Sequence, residues 1–295
     1  MDGRTILDLV RPFTLLAPAV GSLAGALAAH AATGVPVDAL TVGLGVVAAL
    51  AATGASNAWN QAFDAEIDAV NKPERPVPSG RASAASALRL GHALAVLALA
   101  LAFVASIPFG ACVAIGVAAT WMYSAPPWRT KASLVGALLT IAIPRGYLVP
   151  VAGWSLVVSP FEVSDPWALG AIAFLFVLGA AATKDFADVE GDRAHGCRTL
   201  PVVWGLGPAA RFIAPFLVLP FVLFPLGAWL GWLHAPLVSW CVLAAVLLAL
   251  GLVAAISLVR DPEALARGGT AHPAWRAMYL LLLGIHVGSA IVYVV

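Results

Sequence analysis

The chain is a succession of long apolar segments, separated by short stretches that carry its few charges. Of 295 residues, 61% are hydrophobic and only 11% are charged, and the mean hydropathy is +0.95. Soluble domains do not have this balance, whereas apolar runs of about 20 residues fit the hydrocarbon core of a bilayer. The sequence therefore predicts an all-α, polytopic membrane protein.

Breaks at charged residues, proline and glycine divide the chain into nine apolar segments. Each is long enough to cross about 30 Å of hydrocarbon as a helix, some with tilt. The segments cover residues 12–32, 38–59, 86–106, 108–124, 133–153, 166–184, 208–231, 236–258 and 274–294. Residues 1–295 are therefore predicted to form a single transmembrane domain, with no room for a separate soluble domain.

The basic residues predict how these segments are oriented. Lys and Arg occur in every second connection, as in the loop with Lys72, Arg75 and Arg81, whereas the connections near 33–37, 107, 154–165 and 232–235 hold none. Basic connections stay on the cytoplasmic side of a membrane. We therefore expect a multi-pass protein of the cytoplasmic membrane, with its N-terminus on the cytoplasmic side.

Two acidic clusters lie at the ends of the second and sixth segments, on the same predicted side of the membrane. They contain seven of the 15 acidic residues of the chain. Within each cluster the polar residues are three or four positions apart, a spacing that places them on one face of a helix. The first cluster holds Asn60, Asp64 and Asp68, and the second holds Asp185, Asp188 and Asp192.

Carboxylates at this density repel one another and lose hydration near lipid, so a cation must compensate their charge. Oxygen ligands favour a hard divalent ion, which indicates Mg²⁺, with Mn²⁺ as a substitute. Mg²⁺ usually takes one or two carboxylates and completes its shell with water and phosphate oxygens. The paired clusters therefore predict a diphosphate substrate, which leaves readily when bound to metal. The alternative is that these carboxylates are merely solvated helix ends.

Several basic residues near the clusters are candidates for contacts with the diphosphate. Lys72, Arg75 and Arg81 follow the first cluster in a proline-rich loop, and Arg129 and Lys131 follow the fourth segment. Arginine binds phosphate oxygens through two parallel hydrogen bonds. The alternative is that these residues only determine topology or contact lipid headgroups.

Arg145 differs from the other basic residues because it lies inside the fifth segment, between Pro144 and Gly146. A charge at that depth is costly unless it faces a cavity or an anion. We expect it to bind a diphosphate oxygen or a phosphate of the acceptor. The alternative is an ion pair with a buried carboxylate.

At these residues the chain resembles the UbiA superfamily of intramembrane prenyltransferases. The resemblance rests on the Asn60-x₃-Asp64-x₃-Asp68 motif, on Asp188-x₃-Asp192 with Asp185 before it, and on the nine segments. Residues 64–81 and 184–201 look most like geranylgeranylglyceryl-phosphate geranylgeranyltransferases. The sequence Tyr-Ser-Ala-Pro-Pro at 123–127 is closer to chlorophyll synthases.

One position departs from the family pattern. Many members carry a lysine four residues after the tyrosine of the fourth helix, which corresponds to Tyr123, but this chain has Pro127 there. Its cations come later, at Arg129 and Lys131. The resemblance therefore supports the acidic ligands more strongly than it supports these two cations.

The resemblance implies nine helices around a central cavity and a Mg²⁺-dependent transfer of a prenyl group, with geranylgeranyl as the expected one. The donor would be a polyprenyl diphosphate, and the acceptor a membrane-associated molecule like geranylgeranylglyceryl phosphate. A chlorophyll precursor or an aromatic quinone precursor is the alternative acceptor. The implied metal ligands are the six residues of the two clusters, and the implied diphosphate contacts are Asn60, Lys72, Arg75, Tyr123, Arg129, Lys131 and Arg145.

Two other classes of function use similar features. A terpene cyclase on the same scaffold would ionise the same diphosphate but quench the cation within the substrate. A secondary transporter would use membrane carboxylates for ion coupling, but such sites tend to lie near the midplane. Membrane lipid is the expected environment. Neither a nucleic acid, given the net charge of +1, nor an obligate protein partner is expected.

Overall fold

The computed structural model describes residues 1–295, except for the side chain of Thr270. Within that part of the chain, nine helices are long and apolar enough to cross a membrane, and we number them α1 to α9 in chain order. They span Pro12–Thr33, Ala39–Phe63, Ala84–Ala105, Ile107–Ser124, Leu134–Trp154, Asp165–Ala194, Leu206–Trp229, Leu237–Arg260 and Pro273–Val294. The predicted all-α membrane fold with nine spans is confirmed.

Shorter helices lie outside the spans, mostly at the end of the bundle that carries both acidic clusters, which we call the acidic end. They cover Gly3–Val10, Ala65–Asn71, Thr130–Ala132, Leu200–Trp204, Pro262–Gly268 and Gly269–Ala271. The helix Gly3–Val10 packs on α2, because Asn57 donates a hydrogen bond to the carbonyl of Val10 at 2.7 Å. Gln61 donates to the carbonyl of Leu9 at 2.9 Å.

Three of the spans are interrupted. The α5 span consists of Leu134–Ala142, a π-helical turn over Ile143–Tyr147, and Leu148–Trp154. The α6 span changes from α-helix to a 3₁₀-helix over Ala181–Asp188. Two short 3₁₀ segments, Ala214–Leu217 and Leu219–Val222, interrupt α7, where Pro215 and Pro220 each remove a backbone donor.

Small residues allow α1, α5 and α6 to approach closely. A Cβ added at Gly25 of α1 would lie 2.8 Å from the Cα of Gly153 on α5. A Cβ at Gly146 would lie 2.7 Å from the Cα of Phe174 on α6. Membrane helices are packed by such backbone contact because lipid provides no hydrophobic driving force between them. These contacts hold α5 firmly at the centre of the bundle.

A central cavity of about 1090 Å³ opens at the acidic end and extends deep into the bundle. Its walls come from α1, α2, α4, α5, α6 and α9, while α3, α7 and α8 contribute no lining residue within the described chain. On each wall the lining positions recur with helical periodicity, so one face of each helix is turned inward. On α4 these positions are Phe109, Cys112, Val113, Gly116, Thr120 and Tyr123.

Candidate active site

The first acidic cluster lies at the mouth of the cavity, on a bend in the chain. The α2 span ends at Phe63, and Asp64 leaves helical geometry with φ −100° and ψ 13° before the helix Ala65–Asn71 begins. The expectation of one uninterrupted helical face is therefore corrected by this bend. Asn60, Asp64 and Asp68 nevertheless all line the cavity.

The second cluster also lies on irregular backbone. Asp185 and Asp188 belong to the 3₁₀-helix Ala181–Asp188, and Asp192 belongs to the following turn of α-helix. All three carboxylates line the same cavity as the first cluster. The two clusters therefore share one cavity, although α-helical geometry applies to only part of each segment.

Asn71 joins the two acidic segments directly. Its side-chain amide donates to the carbonyl of Asp188 at 3.0 Å, and its oxygen accepts from the backbone N–H of Gly191 at 2.8 Å. A Cβ at Gly191 would lie 2.5 Å from Nδ2 of Asn71. Asn71 therefore fixes the spacing between the clusters, and Gly191 leaves room for it.

Basic side chains pair with the carboxylates of both clusters. The Nη1 atom of Arg75 contacts both carboxylate oxygens of Asp68, at 2.8 and 2.6 Å. Lys72 reaches from the first segment to Asp188 in the second, so this pair also bridges the clusters. The predicted cations Lys72 and Arg75 thus lie at the site.

Lys131 lies beside the first cluster and pairs with Asp64, and both side chains are buried. The 3₁₀-helix Thr130–Ala132 carries it to the cavity wall. Its neighbour Arg129 is not among the cavity-lining residues that the structure describes. Arg129 and Lys131, which both follow the fourth segment, therefore have different surroundings. Of the two, Lys131 lines the cavity and pairs with a cluster carboxylate.

Tyr123 and Lys184 form a further pair on the cavity wall. The ammonium of Lys184 donates to the hydroxyl of Tyr123 at 2.6 Å and lies 3.5 Å from Asp185. Tyr123, predicted as a diphosphate contact, lines the cavity. Lys184 is the last residue of the sixth predicted segment, and its position next to Asp185 in the sequence was a signal for a role at the site.

Burial dominates the electrostatics of Asp68, which is 4% exposed. Loss of hydration raises the pKa of its carboxyl group, and the attraction of Arg75 and Lys72 only partly opposes that rise. Further positive charge at the cavity mouth would stabilise the ionised form of this buried carboxyl group. The site is therefore suited to a multivalent cation.

Arg145 lies on the π-helical turn of α5 and lines the cavity, as predicted. Within the part of the chain that the structure describes, its guanidinium has no hydrogen-bond or ion-pair partner. It lies within electrostatic range of the hydroxyls of Tyr123 and Tyr279. The alternative of an ion pair with a buried carboxylate is not seen among these residues.

Arg11, between the helix Gly3–Val10 and α1, lies in a basic connection of the sequence and had no predicted role at the site. It has a left-handed backbone with φ 54° and lines the cavity. Burial lowers the pKa of its guanidinium to about 10, with further repulsion from Arg75 and Arg145. It is therefore still charged at neutral pH. The packing of the helix Gly3–Val10 on α2 places Arg11 within electrostatic range of Arg145.

The donor set matches the ion that the sequence predicted. The cluster ligands are carboxylate and amide oxygens, which Mg²⁺ prefers. Among the described residues, no three His, Cys, Asp or Glu side chains converge into a preformed cage. That arrangement suits an ion that takes few protein ligands and completes its shell with substrate phosphate and water.

The sequence pattern of the UbiA prenyltransferase family matches residues 16–272. The chain belongs to the UbiA prenyltransferase family. It is therefore a prenyltransferase and a multi-pass membrane protein, as the resemblance of its two acidic motifs implied.

The chain is similar to two kinds of UbiA relative. The chain is 36% identical to digeranylgeranylglyceryl phosphate synthase of Methanopyrus kandleri over 225 residues, covering 76% of this chain and 78% of that protein. It is 31% identical to the bacteriochlorophyll synthase 33 kDa chain of Rhodobacter capsulatus over 214 residues, covering 71% and 70%. Both groups are those that the sequence motifs indicated.

A solved UbiA structure shares the fold. A UbiA homolog from Archaeoglobus fulgidus, bound to GPP and Mg²⁺, superimposes with a TM-score of 0.77 at 20% identity, covering 98% of this chain and 99% of the other. At that identity the similarity establishes the arrangement of the helices. The site assignments for this chain therefore depend on its own residues.

Proposed function

We propose that this prenyltransferase transfers a geranylgeranyl group from its diphosphate to a phosphorylated glycerol lipid in the membrane, with Mg²⁺ as its metal. The observation that carries the acceptor class is the pair of guanidinium groups, Arg11 and Arg145, which face the cavity without a carboxylate partner. Arg11 is partly buried and Arg145 is exposed to the cavity, and two like charges that face one cavity favour the binding of an anion there. Asp64, Asp68 and Asp188 of the clusters already pair with Lys131, Arg75 and Lys72, so the anion that we propose for the guanidinium pair is a phosphate of the acceptor.

The six cluster residues would hold the metal, and the cations around them would hold the diphosphate. When bound, Mg²⁺ neutralises the negative charge that develops on the departing diphosphate. Lys72, Arg75, Lys131 and Lys184 surround the same oxygens and can donate hydrogen bonds to phosphate. Tyr123, bonded to Lys184, orients that ammonium toward the cavity mouth.

In the transfer, the bond between C1 of the prenyl group and the diphosphate oxygen breaks, and its electron pair leaves with the diphosphate. The hydroxyl oxygen of the acceptor then forms the new bond to C1, and its proton is released. Arg11 and Arg145 would hold the phosphate of the acceptor, so that its hydroxyl approaches C1 from the opposite wall of the cavity. Positioning two substrates in this way removes much of the entropic barrier.

A chlorophyll precursor is the second candidate acceptor. It is supported by the similarity to the bacteriochlorophyll synthase of Rhodobacter capsulatus and by the Tyr-Ser-Ala-Pro-Pro sequence at 123–127. In that case a carboxylate of the acceptor would attack C1 itself. The guanidinium pair would then bind the nucleophile rather than a separate phosphate.

The orientation of the protein is part of the proposal. Every cluster carboxylate and every cation assigned to the diphosphate lies at the acidic end, and the basic connections lie there too. The positive-inside rule places such connections in the cytoplasm. The cavity would therefore receive a water-soluble diphosphate headgroup from the cytoplasmic side of the cell membrane.

Purified protein incubated with Mg²⁺, geranylgeranyl diphosphate and one acceptor at a time tests the proposal. The acceptors are a geranylgeranylglyceryl phosphate, a chlorophyllide and an aromatic quinone precursor, and mass spectrometry reads the products. We expect the phosphorylated glycerol lipid to be prenylated. Esterification of chlorophyllide alone would replace this acceptor, and a cyclic hydrocarbon formed without acceptor would indicate a cyclase.

A further inference from the structure

Below the diphosphate site, two stretches of the cavity wall differ in chemistry, and we call them arms. The charged arm is formed by α1, α9 and the part of α5 at Arg145, and it includes Tyr279 and His286. The apolar arm is formed by α2, α4 and the part of α5 at Pro144, and below Tyr123 its lining on α2 and α4 includes no charged side chain in the described chain. The second arm is therefore the one that suits a hydrocarbon chain.

Different positions of α5 approach α4 and α1. Pro144 faces α4, because a Cβ at Gly116 would lie 3.6 Å from the Cβ of Pro144. Val149 faces α1, where its side chain abuts Gly21. Arg145 lies one turn before Val149 on the same cavity-lining face, so α5 contributes both apolar and charged positions to the wall of the cavity.

Phe109 closes the far end of the apolar arm. It lines the cavity and is 1% exposed. It packs in one buried cluster with Ala48 of α2, with Ala152 of α5 and with Leu156, which follows the end of α5. Among the described residues, none of the α4 positions before Phe109 lines the cavity. The aromatic ring therefore forms the floor of the arm.

The length of the arm can be read along α4. Tyr123 marks the level of the diphosphate, since the neighbouring Ser124 lies 3.5 Å from Asn60 of the first cluster. At about 1.5 Å per residue, the helix rises about 21 Å from Phe109 to Tyr123. An extended covalent chain advances about 1.2 Å per bond, so the sixteen main-chain carbons of a geranylgeranyl group, joined by fifteen bonds, span about 18 Å.

We propose that the α2–α4–α5 arm is a ruler for the prenyl donor, that Phe109 is its floor, and that the distance from Tyr123 to Phe109 selects a twenty-carbon chain. This inference rests on the proposed function, because it assumes a prenyl diphosphate held at the acidic clusters. Phe109 acts as a specificity-determining residue through the hydrocarbon end of the donor, far from the reacting bond.

Gly116 provides a test that leaves the floor intact. It lies seven residues from both Phe109 and Tyr123, and its added Cβ would meet only Pro144, at an ordinary contact distance of 3.6 Å. In Gly116→Leu the side chain blocks the arm about 10 Å below Tyr123, at about 1.5 Å per residue. Only a ten-carbon donor fits above it.

The experiment measures kcat/KM for the ten-, fifteen-, twenty- and twenty-five-carbon diphosphates with one fixed acceptor. For Gly116→Leu we expect the ratio of the twenty- to the ten-carbon value to fall at least about 100-fold. Phe109→Ala opens the floor, and we expect the twenty-five-carbon donor to gain about tenfold relative to the twenty-carbon donor. Ala118→Leu adds a similar volume on the exposed face of α4 and should leave both ratios unchanged.

The outcomes separate this inference from the proposed function. If the wild-type protein uses no prenyl diphosphate, the proposed function fails. If it turns over these donors but Gly116→Leu keeps the wild-type ratio, the tail does not occupy the arm, and the ruler is overturned. Phe109→Ala removes a large buried side chain, so the Gly116→Leu result decides the matter if the Phe109 variant does not fold.

Discussion

The ammonium of Lys131 pairs with the carboxylate of Asp64 across 67 residues of chain, and the two side chains are only 7% and 10% exposed. This pair ties the connection after α4 to the bend at the end of α2. Since Asp64 is also a predicted metal ligand, the same lysine contributes to the fold of the cavity mouth and lies where a diphosphate would be bound.

Lys131→Met tests this double role. Removing one partner of a buried ion pair leaves an uncompensated charge, so we expect the variant to lose about 3–5 kcal/mol of stability. Adding Asp64→Asn should restore part of the thermal stability but no activity, because Asp64 is needed for the metal. Thermal unfolding in detergent and the prenyl transfer rate measure the two effects. An active double variant would remove Asp64 from the site.

Metal removal tests the acidic clusters as a whole. We expect EDTA to abolish transfer, and added Mg²⁺ or Mn²⁺ to restore it, because the charge on the departing diphosphate is then neutralised again. The thermal unfolding temperature in EDTA serves as the control for loss of folding. Full turnover in excess chelator would contradict the assignment of the carboxylates as metal ligands.

Asn71 and Gly191 test whether the spacing between the clusters matters. Asn71→Ala removes both hydrogen bonds to the second segment, and Gly191→Ala places a methyl group against the same side chain. We expect both variants to raise the Mg²⁺ concentration for half-maximal activity several-fold. Gly207→Ala, whose added Cβ has its nearest neighbour at 4.0 Å, is the matched control. An unchanged Mg²⁺ requirement would limit Asn71 to a structural role.

Arg145→Met removes the positive charge from the charged arm of the cavity and keeps most of the side-chain volume. We expect kcat/KM for the acceptor to fall about 100-fold, which corresponds to about 2.7 kcal/mol, with normal insertion and thermal stability. The KM for the donor should change little. Arg260→Met, at an exposed position outside the cavity, is the control. Near wild-type acceptor kinetics would exclude Arg145 from the site.

Membrane orientation is tested by cysteine labelling after Cys112, Cys197 and Cys241 have been replaced. A cysteine at Ser79, in the loop after the first cluster, should react with an impermeant thiol reagent only from the cytoplasmic side. A cysteine at Ser159, between α5 and α6, should react only from outside. Labelling of both positions from one side would refute the predicted orientation.

The positions of the spans could be predicted because hydrophobicity over about 20 residues is a strong local signal. The predicted fifth segment, 133–153, matches α5 at Leu134–Trp154, and the predicted ninth, 274–294, matches Pro273–Val294. The internal changes to π- and 3₁₀-helix were not predicted, because they depend on how neighbouring helices satisfy the freed backbone groups.

The acidic motifs were visible in the chain because carboxylates are rare in an apolar sequence and their helical spacing is local information. The sequence alone therefore determined the membrane class, the nine spans and the identity of the two clusters. The partners of those carboxylates are set by contacts over long distances in the chain, as with Asn71 and Gly191, 120 residues apart. No local pattern encodes such a contact.

The tertiary structure alone decided which cations face the cavity. Arg11 and Arg129 have the same charge and both lie in basic connections, but only Arg11 lines the cavity in the described chain. The packing of Gly3–Val10 on α2 makes that difference, as the close crossing of α5 with α1 and α6 decides where Arg145 lies. Side-chain charge is a property of the residue, whereas exposure to a cavity is a property of the packed helices around it.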